Sequence, residues 1–269
     1  MESCTLRHCA YDYFNLPGVG KGLKKAQRED IFISAMTSPC IHTAAPPKRN
    51  ASDPEACFDL TTRELNEVLE LLDVEHVDLM LLHGPSEPFG YQGACDNTIC
   101  ALNRAQWRAY ENFMREGKAR AIGVSNYCQS CLSCLEGEGV TVVPAVNQIQ
   151  WHVGMGGDPE GLPSFCNSQQ VVVQAYGPLA AGAVATDPLC TDVGKAYNKS
   201  AAQVGLRWIL QHQATIRTAI VVKADDLDYL NEDKDIFNWT LTSEDMGKLS
   251  EATTPTGQQD GRPSWGCSE

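Results

Sequence analysis

Short runs of β-branched and aliphatic residues alternate with amphipathic stretches along most of the chain. Apolar runs at 31–33, 77–82, 119–124, 140–149, 171–173 and 218–222 predict strands. The run VDLMLL at 77–82 is nearly continuous, which suits a parallel strand buried on both faces. Between the runs, residues 61–72 place Leu65, Val68, Leu69 and Leu72 on one helical face. Residues 103–116 predict a second helix. Ser200 is a ready N-cap for a third over 201–213. A last helix over 243–252 carries Glu244 and Asp245 at its positive end. This alternation, with no break in composition, predicts one α/β domain over residues 1–269. The long connections at 37–59, 84–99, 150–161 and 177–188 all follow strand C-termini. Barrels and doubly wound sheets build their active sites on that side.

Composition narrows the classes. The chain has 269 residues, 43% of them hydrophobic and 20% charged, which excludes a disordered or fibrous chain. It has 21 basic and 34 acidic residues, for a net charge of -13, and such a surface repels phosphate backbones, so no nucleic-acid partner is expected. No apolar run is long enough to cross a membrane, and the first fifteen residues lack the apolar core of a leader, so a cytoplasmic location is expected. The sequons at Asn50, Asn198 and Asn238 are then chance matches. The 12 cysteines are expected to be thiols there. Cys128, Cys131 and Cys134, at steps of three, could share one helical face. Zinc would need a fourth ligand, so structural thiols are favoured over a metal site. Cys40/Cys57 and Cys95/Cys100 lie in loop-like segments and could pair in an oxidising compartment. The sequence does not decide between thiol and disulfide. Gly18, Gly20 and Gly22 have the wrong spacing for a dinucleotide fingerprint and sit in a helical stretch, and there is no P-loop.

Four segments, in order and at predicted strand ends, carry a resemblance. VDLMLLHGP at 77–85 resembles V-D-L-x-L-I-H-W-P, and GKARAIGVSNY at 117–127 resembles G-K-x-R-x-I-G-V-S-N-F. VNQIQ at 146–150 resembles V-N-Q-V-E, and VQAYGPL at 173–179 resembles V-x-A-Y-S-P-L. Together they are similar to the aldo-keto reductase family from about residue 6 to the C-terminus. That resemblance implies a (β/α)8 TIM-type barrel and reduction of a small carbonyl compound with NADPH, or NADH. It gives His83 the task of orienting or protonating a carbonyl oxygen. It gives Ser125, Asn126 and Gln148 hydrogen bonds to the nicotinamide carboxamide, and Tyr176 a stacking role on the ring. YFNLPGVG at 13–20 resembles Y-x-N-E-x-x-V-G, which makes Tyr13 the candidate general acid, with a structural tyrosine as its alternative. VVKADDLDYLNED at 221–233 resembles the segment that cradles the adenosine end and retains Lys223 and Glu232. SWGC at 264–267 resembles the family's C-terminal tail. Trp107 and Trp151 line a pocket or simply pack.

The departures are equally specific. In REDIFISAM at 28–36, Met36 stands where the family has the lysine that keeps the tyrosine acidic, and a thioether cannot favour a phenolate. The family's matching aspartate lies five residues before the tyrosine. Here Asp12 is adjacent to Tyr13, and adjacent residues of a strand point to opposite faces. Tyr229 replaces an arginine, and Asp225 and Asp226 add negative charge, which weakens NADPH preference and leaves NADH open. The segment at Arg7 matches the second barrel strand, so seven strands are expected, without the first β/α unit. A rival reading is a barrel impaired in catalysis that binds a nucleotide or a protein partner. A thiol sensor built on Cys128, Cys131 and Cys134 is a third. Substrate identity and oligomeric state are not encoded legibly.

Overall fold

The computed structural model of the protein describes residues 6–25, 27–42, 49–86, 95–137, 139–224 and 226–255. Its backbone falls into two compact units, one up to Asn147 and one from Gln148 onward.

The first unit runs β1 (Leu6–Ala10), α1 (Leu16–Leu23), β2 (Phe32–Thr37), a short antiparallel pair β3 (Ile41–His42) and β4 (Arg49–Asn50), and α2 (Pro54–Leu72). It continues through β5 (Val77–Leu82), α3 (Asn97–Arg115), β6 (Ala119–Ser125) and α4 (Gln129–Ser133) into β7 (Val146–Gln150). β1, β2, β5 and β6 pair side by side and parallel. The N–H of Ala145 donates to Ile122 O, which sets the approach to β7 beside β6. Every residue of β5 is buried, as its continuous apolar pattern predicts.

One polar side chain interrupts that apolar strand. The Asp78 carboxylate, 4% exposed, accepts from Arg28 Nη2 at 2.8 Å and from the backbone N–H of Ile33 at 2.8 Å, and it pairs with Arg120 Nη1 at 3.0 Å. Arg28 also donates to Ile31 O and His76 O. β2, β5 and β6 are thereby pinned together near their starts.

The helices close over the strands by local rules. Asp53 caps α2 through the N–H of Ala56, and Pro54 opens the helix. Asp96 caps α3 through Thr98 and Ile99. Leu65, Val68, Leu69 and Leu72 form the buried stripe of α2, and α2 packs against α3. Gly20 of α1 lies against the end of α2, where a Cβ would come within 2.5 Å of Leu72 O, so the Val-Gly pair of the N-terminal motif serves helix packing. At Gly123 a Cβ would meet Val146 O at 2.6 Å, so this glycine lets β6 approach the segment entering β7.

In the second unit the end of β7 lies by β8 (Val172–Tyr176), with the N–H of Trp151 donating to Tyr176 O. β8 pairs parallel with β9 (Thr218–Val221), from Val173 opposite Thr218 to Tyr176 opposite Val221. The helices are α5 (Leu162–Ser168), α6 (Pro188–Tyr197), α7 (Ala201–Gln211), α8 (Leu227–Lys234) and α9 (Ser243–Glu251). Ser200 and Gln203 form a reciprocal capping box at the start of α7, as Ser200 predicts. The indoles of Trp151 and Trp208 are fully buried, 5.4 Å apart edge to face, and His212 packs on both.

The α/β class and the seven strands β1, β2 and β5–β9 stand where the sequence predicts them. Three boundaries differ. The strand expected at 140–149 begins only at Val146. The Glu111 carboxylate takes the N–H groups of Thr141 (2.7 Å) and Val142 (2.8 Å), and Pro144 follows. α2 and α3 begin earlier, because Asp53 and Asp96 cap them upstream of their apolar stripes. The tail at 264–267 and Asp225 lie outside the described residues.

The cysteines correct two expectations. Cys40 pairs with Cys57, but Cys95 pairs with Cys131 and Cys100 with Cys134, so Cys95 and Cys100 do not join each other. Cys131 and Cys134 stand about one turn apart at α4, and each meets a partner at the start of α3. Cys128 is also disulfide-bonded. The C-x-x-C-x-x-C face is therefore a cross-linking face, neither a metal site nor a row of thiols, and no cluster of metal-ligating side chains occurs among the described residues. Cys9, Cys166 and Cys190 remain thiols and are buried. Among the described residues, no helix is long and apolar enough to cross a membrane.

Asp78→Ala leaves the partly buried guanidinium of Arg28 without its carboxylate, and the variant should lose about 3 kcal/mol of unfolding free energy. Urea denaturation of the two proteins checks this; equal midpoints would show that the pins are dispensable.

Candidate active site

The first unit brings four of the predicted site residues together at strand C-termini. After β1, residues Tyr11–Tyr13 form a 3-10 turn closed by Phe14 in the left-handed conformation (φ 54°), whose N–H donates to Tyr11 O. Successive side chains on such a turn are about 120° apart, against about 180° in a strand. Asp12 and Tyr13 thus both reach His83, and the expectation that they point to opposite faces is corrected.

His83 follows β5 directly, and its N–H donates to Thr37 O. Its Nε2 lies 3.4 Å from Tyr13 Oη, and its Nδ1 lies 3.0 Å from Asp12 Oδ2. Ser125 ends β6 and is buried. Asn126, held at φ 58°, donates from Nδ2 to His83 O at 2.9 Å and contacts Ser125 Oγ at 3.2 Å. Sequence reasoning did not see Asp12 as a partner of His83. The signal was present as a carboxylate beside the tyrosine at a strand end, but the turn that exploits it has no strong sequence mark.

The positions of the family's charged pair are both neutral here. Met36 is fully buried in an apolar cluster with Ala10, Leu79 and Leu81. Opposite Met36 in β1 stands Ala10, and two residues earlier His8 Nδ1 meets Ser34 Oγ at 3.2 Å. Burial, reinforced by the nearby His83, lowers the His8 imidazole from 6.5 to about 4. Burial alone would raise the Asp12 carboxyl, but the hydrogen bond and charge of His83 outweigh it and bring the group from 3.8 to about 2. The Tyr13 phenol is raised, first by partial burial and then by the Asp12 charge and the nearby Cys9, although half of the residue's surface (51%) faces solvent. Tyr13 therefore stays a phenol at neutral pH and is able to donate.

The second unit holds the other four. Gln148 in β7 is buried and donates from Nε2 to Gln174 Oε1 at 2.6 Å. Tyr176 ends β8 and is half-buried. Lys223 is exposed beyond β9, and Glu232 lies half-buried on α8. Tyr229 on the same helix is exposed, and Asp226 caps it by accepting from the N–H of Asp228. Trp107 and Trp151 are core residues whose indole N–H groups donate to Val142 O and Gly156 O.

The strands of the first unit run parallel, and a tyrosine and a histidine are paired at their ends. Residues 8–254 match the family described as the Aldo/keto reductase family, and the chain belongs to it. It is 29% identical over 239 residues to the glyoxal reductase of Bacillus subtilis, covering 88% of this chain and 74% of that protein. It is 27% identical over 258 residues to the NAD(P)H-dependent 6'-deoxychalcone synthase of Glycine max, covering 89% of this chain and 74% of that protein. Its fold matches the crystal structure of MGS-M4, an aldo-keto reductase enzyme from a Medee basin deep-sea metagenome library, with a TM-score of 0.75 and 24% identity over 96% of this chain and 84% of that one.

His8 favours its neutral form in the fold, while the unfolded chain takes up a proton below about pH 6.5. Stability should therefore fall as pH drops from 6.5 toward 4, by up to about 3 kcal/mol from this group. His8→Gln should flatten that part of the profile in denaturation curves taken across it; an unchanged slope would assign the loss elsewhere.

Proposed function

We propose that the chain, acting as one aldo-keto reductase-type domain, reduces a small aldehyde or ketone to the alcohol with NADPH, or NADH, as hydride donor. The observation that carries this reading is the Tyr13 hydroxyl 3.4 Å from His83 Nε2 at the ends of β1 and β5. Tyr13 donates to the carbonyl oxygen, and His83 orients that oxygen and exchanges protons with the tyrosine. A reduced nicotinamide, when bound, supplies the hydride.

The donor set fits that cofactor. The hydroxyl of Ser125 and the amides of Asn126 and Gln148 offer the donors and acceptors that a carboxamide needs, and Tyr176 offers an aromatic face. Lys223 and Glu232 are assigned to the adenosine end by the family resemblance. A 2'-phosphate would find Lys223 there but a tyrosine at the arginine position, so no guanidinium fork reads it. Preference for NADPH over NADH is accordingly weak. The name of the Bacillus relative makes glyoxal the first substrate to assay.

A second reading, cofactor binding without turnover, is favoured by the neutral, buried Met36. One pair of measurements separates them: oxidation of NADPH and of NADH with glyoxal and other aldehydes at high enzyme, and quenching of protein fluorescence by each cofactor. Turnover with both cofactors at comparable rates is expected. Quenching without oxidation would establish the binding reading, and neither signal would overturn both.

A further inference from the structure

The charge relay beside Tyr13 has been moved. In the resemblance the tyrosine is served by a cation in the next strand, and that cation by a carboxylate in the strand before it. Here Met36 stands at the first of those strand positions and Ala10 lies opposite it in β1, so both are apolar. The carboxylate sits instead on the 3-10 turn. Asp12 is 13% exposed at its side chain and His83 20%. Asp12 Oδ2 is 3.0 Å from His83 Nδ1, while Asp12 Oδ1 is buried and has no hydrogen-bond partner among the described residues. The imidazole is the carboxylate's principal partner, and Ser38 adds a smaller stabilising contribution.

Geometry fixes what the imidazole does next. An ionised carboxylate only accepts, so Nδ1 must carry a proton. The other nitrogen then faces the Tyr13 hydroxyl at 3.4 Å, with the two rings edge to face and their centroids 5.4 Å apart. The titratable groups facing His83 are Asp12 and Tyr13 from the turn and His8 from β1.

Resting on the reductase reading above, we propose that Asp12 is a positioning residue that holds His83 with its Nδ1 proton on the carboxylate, so that His83 Nε2 exchanges a proton with the Tyr13 hydroxyl in place of a lysine at position 36. In the reduction, hydride from a reduced nicotinamide bonds to the carbonyl carbon and the π pair of the carbonyl moves to its oxygen. Tyr13 Oη gives that oxygen its proton. The phenolate is reprotonated through the imidazole: Nε2 takes a proton from solvent, forming an imidazolium that Asp12 stabilises, and passes it to Tyr13 Oη, which returns the ring to its Nδ1–H form. Oxidation of the bound nicotinamide balances reduction of the carbonyl. In the reverse direction Nε2 accepts the phenol proton.

Two readouts test this on the full chain. The first needs no activity: long-range nitrogen–proton NMR of the histidines should show His83 protonated on Nδ1 at neutral pH, and Asp12→Asn should shift the ring toward the Nε2–H tautomer. A wild-type ring carrying its proton on Nε2 overturns the proposal, whether or not the variant folds. The second is kinetic. Asp12→Asn should lower kcat about a hundredfold with little change in KM and displace the pH profile of kcat. A kcat within about threefold of wild type on an unchanged profile overturns the proposal, since general acid–base assistance is worth far more. If the wild-type chain reduces no carbonyl compound, the reductase reading fails, while the tautomer measurement still decides the pairing of Asp12 with His83.

Discussion

The buried carboxylate of Asp78 is the constraint on which the first unit hangs. Strands that pair in parallel slide past one another more easily than hairpin strands, because no tight turn fixes their register. Asp78 supplies that fixing. Through Arg28 and the N–H of Ile33 it ties β5 to β2, and through Arg120 it ties β5 to β6. With the strand starts pinned, Thr37 stands opposite Leu82 and Leu82 opposite Val124. His83 and Ser125 are the next residues along. A slip of one residue would send His83 to the other face and dissolve the contact with Tyr13. Arg28, Asp78 and Arg120 all belong to the segments that carry the family resemblance, so part of that signature records the strand register rather than the chemistry.

On the proposal above, the charged relay is rebuilt without strand positions. A cation at position 36 would sit among Ala10, Leu79 and Leu81, and a buried charge there needs a matching partner. Both members of that pair are neutral in this chain. A carboxylate on the turn needs no such depth. Asp12 reaches the imidazole from the rim, and its low titration point follows from the contact with His83 rather than from a neighbouring lysine. On the proposal above, the tyrosine depends on His83 and not on a side chain within β2.

Much of the architecture was legible in the sequence. The apolar run at 77–82 and the Ser200 cap depend on local rules, so β5 and α7 follow from the sequence directly. The features that escaped it depend on contacts distant along the chain. Glu111 reaches Thr141 and Val142 and shortens β7. The partners of Cys95 and Cys100 lie more than thirty residues away, and spacing alone could not choose among them. Asp12 escaped because its role depends on a single turn. Tyr13, His83, Ser125 and Asn126 stand near one another because the strand ends of one parallel sheet bring them together, but the wiring among them has no mark in the sequence.

The disulfides bear on that neighbourhood in another way. Cys40–Cys57 ties the segment after β2 to α2, and two further bridges tie the start of α3 to α4, which follows β6. These connections form the walls of the strand-end side of the sheet. Their conformational entropy is removed only while the bridges persist. The freedom of these connections is therefore coupled to the thiol–disulfide potential around the protein. In a compartment held at a glutathione poise the same chain would offer looser walls around an unchanged sheet.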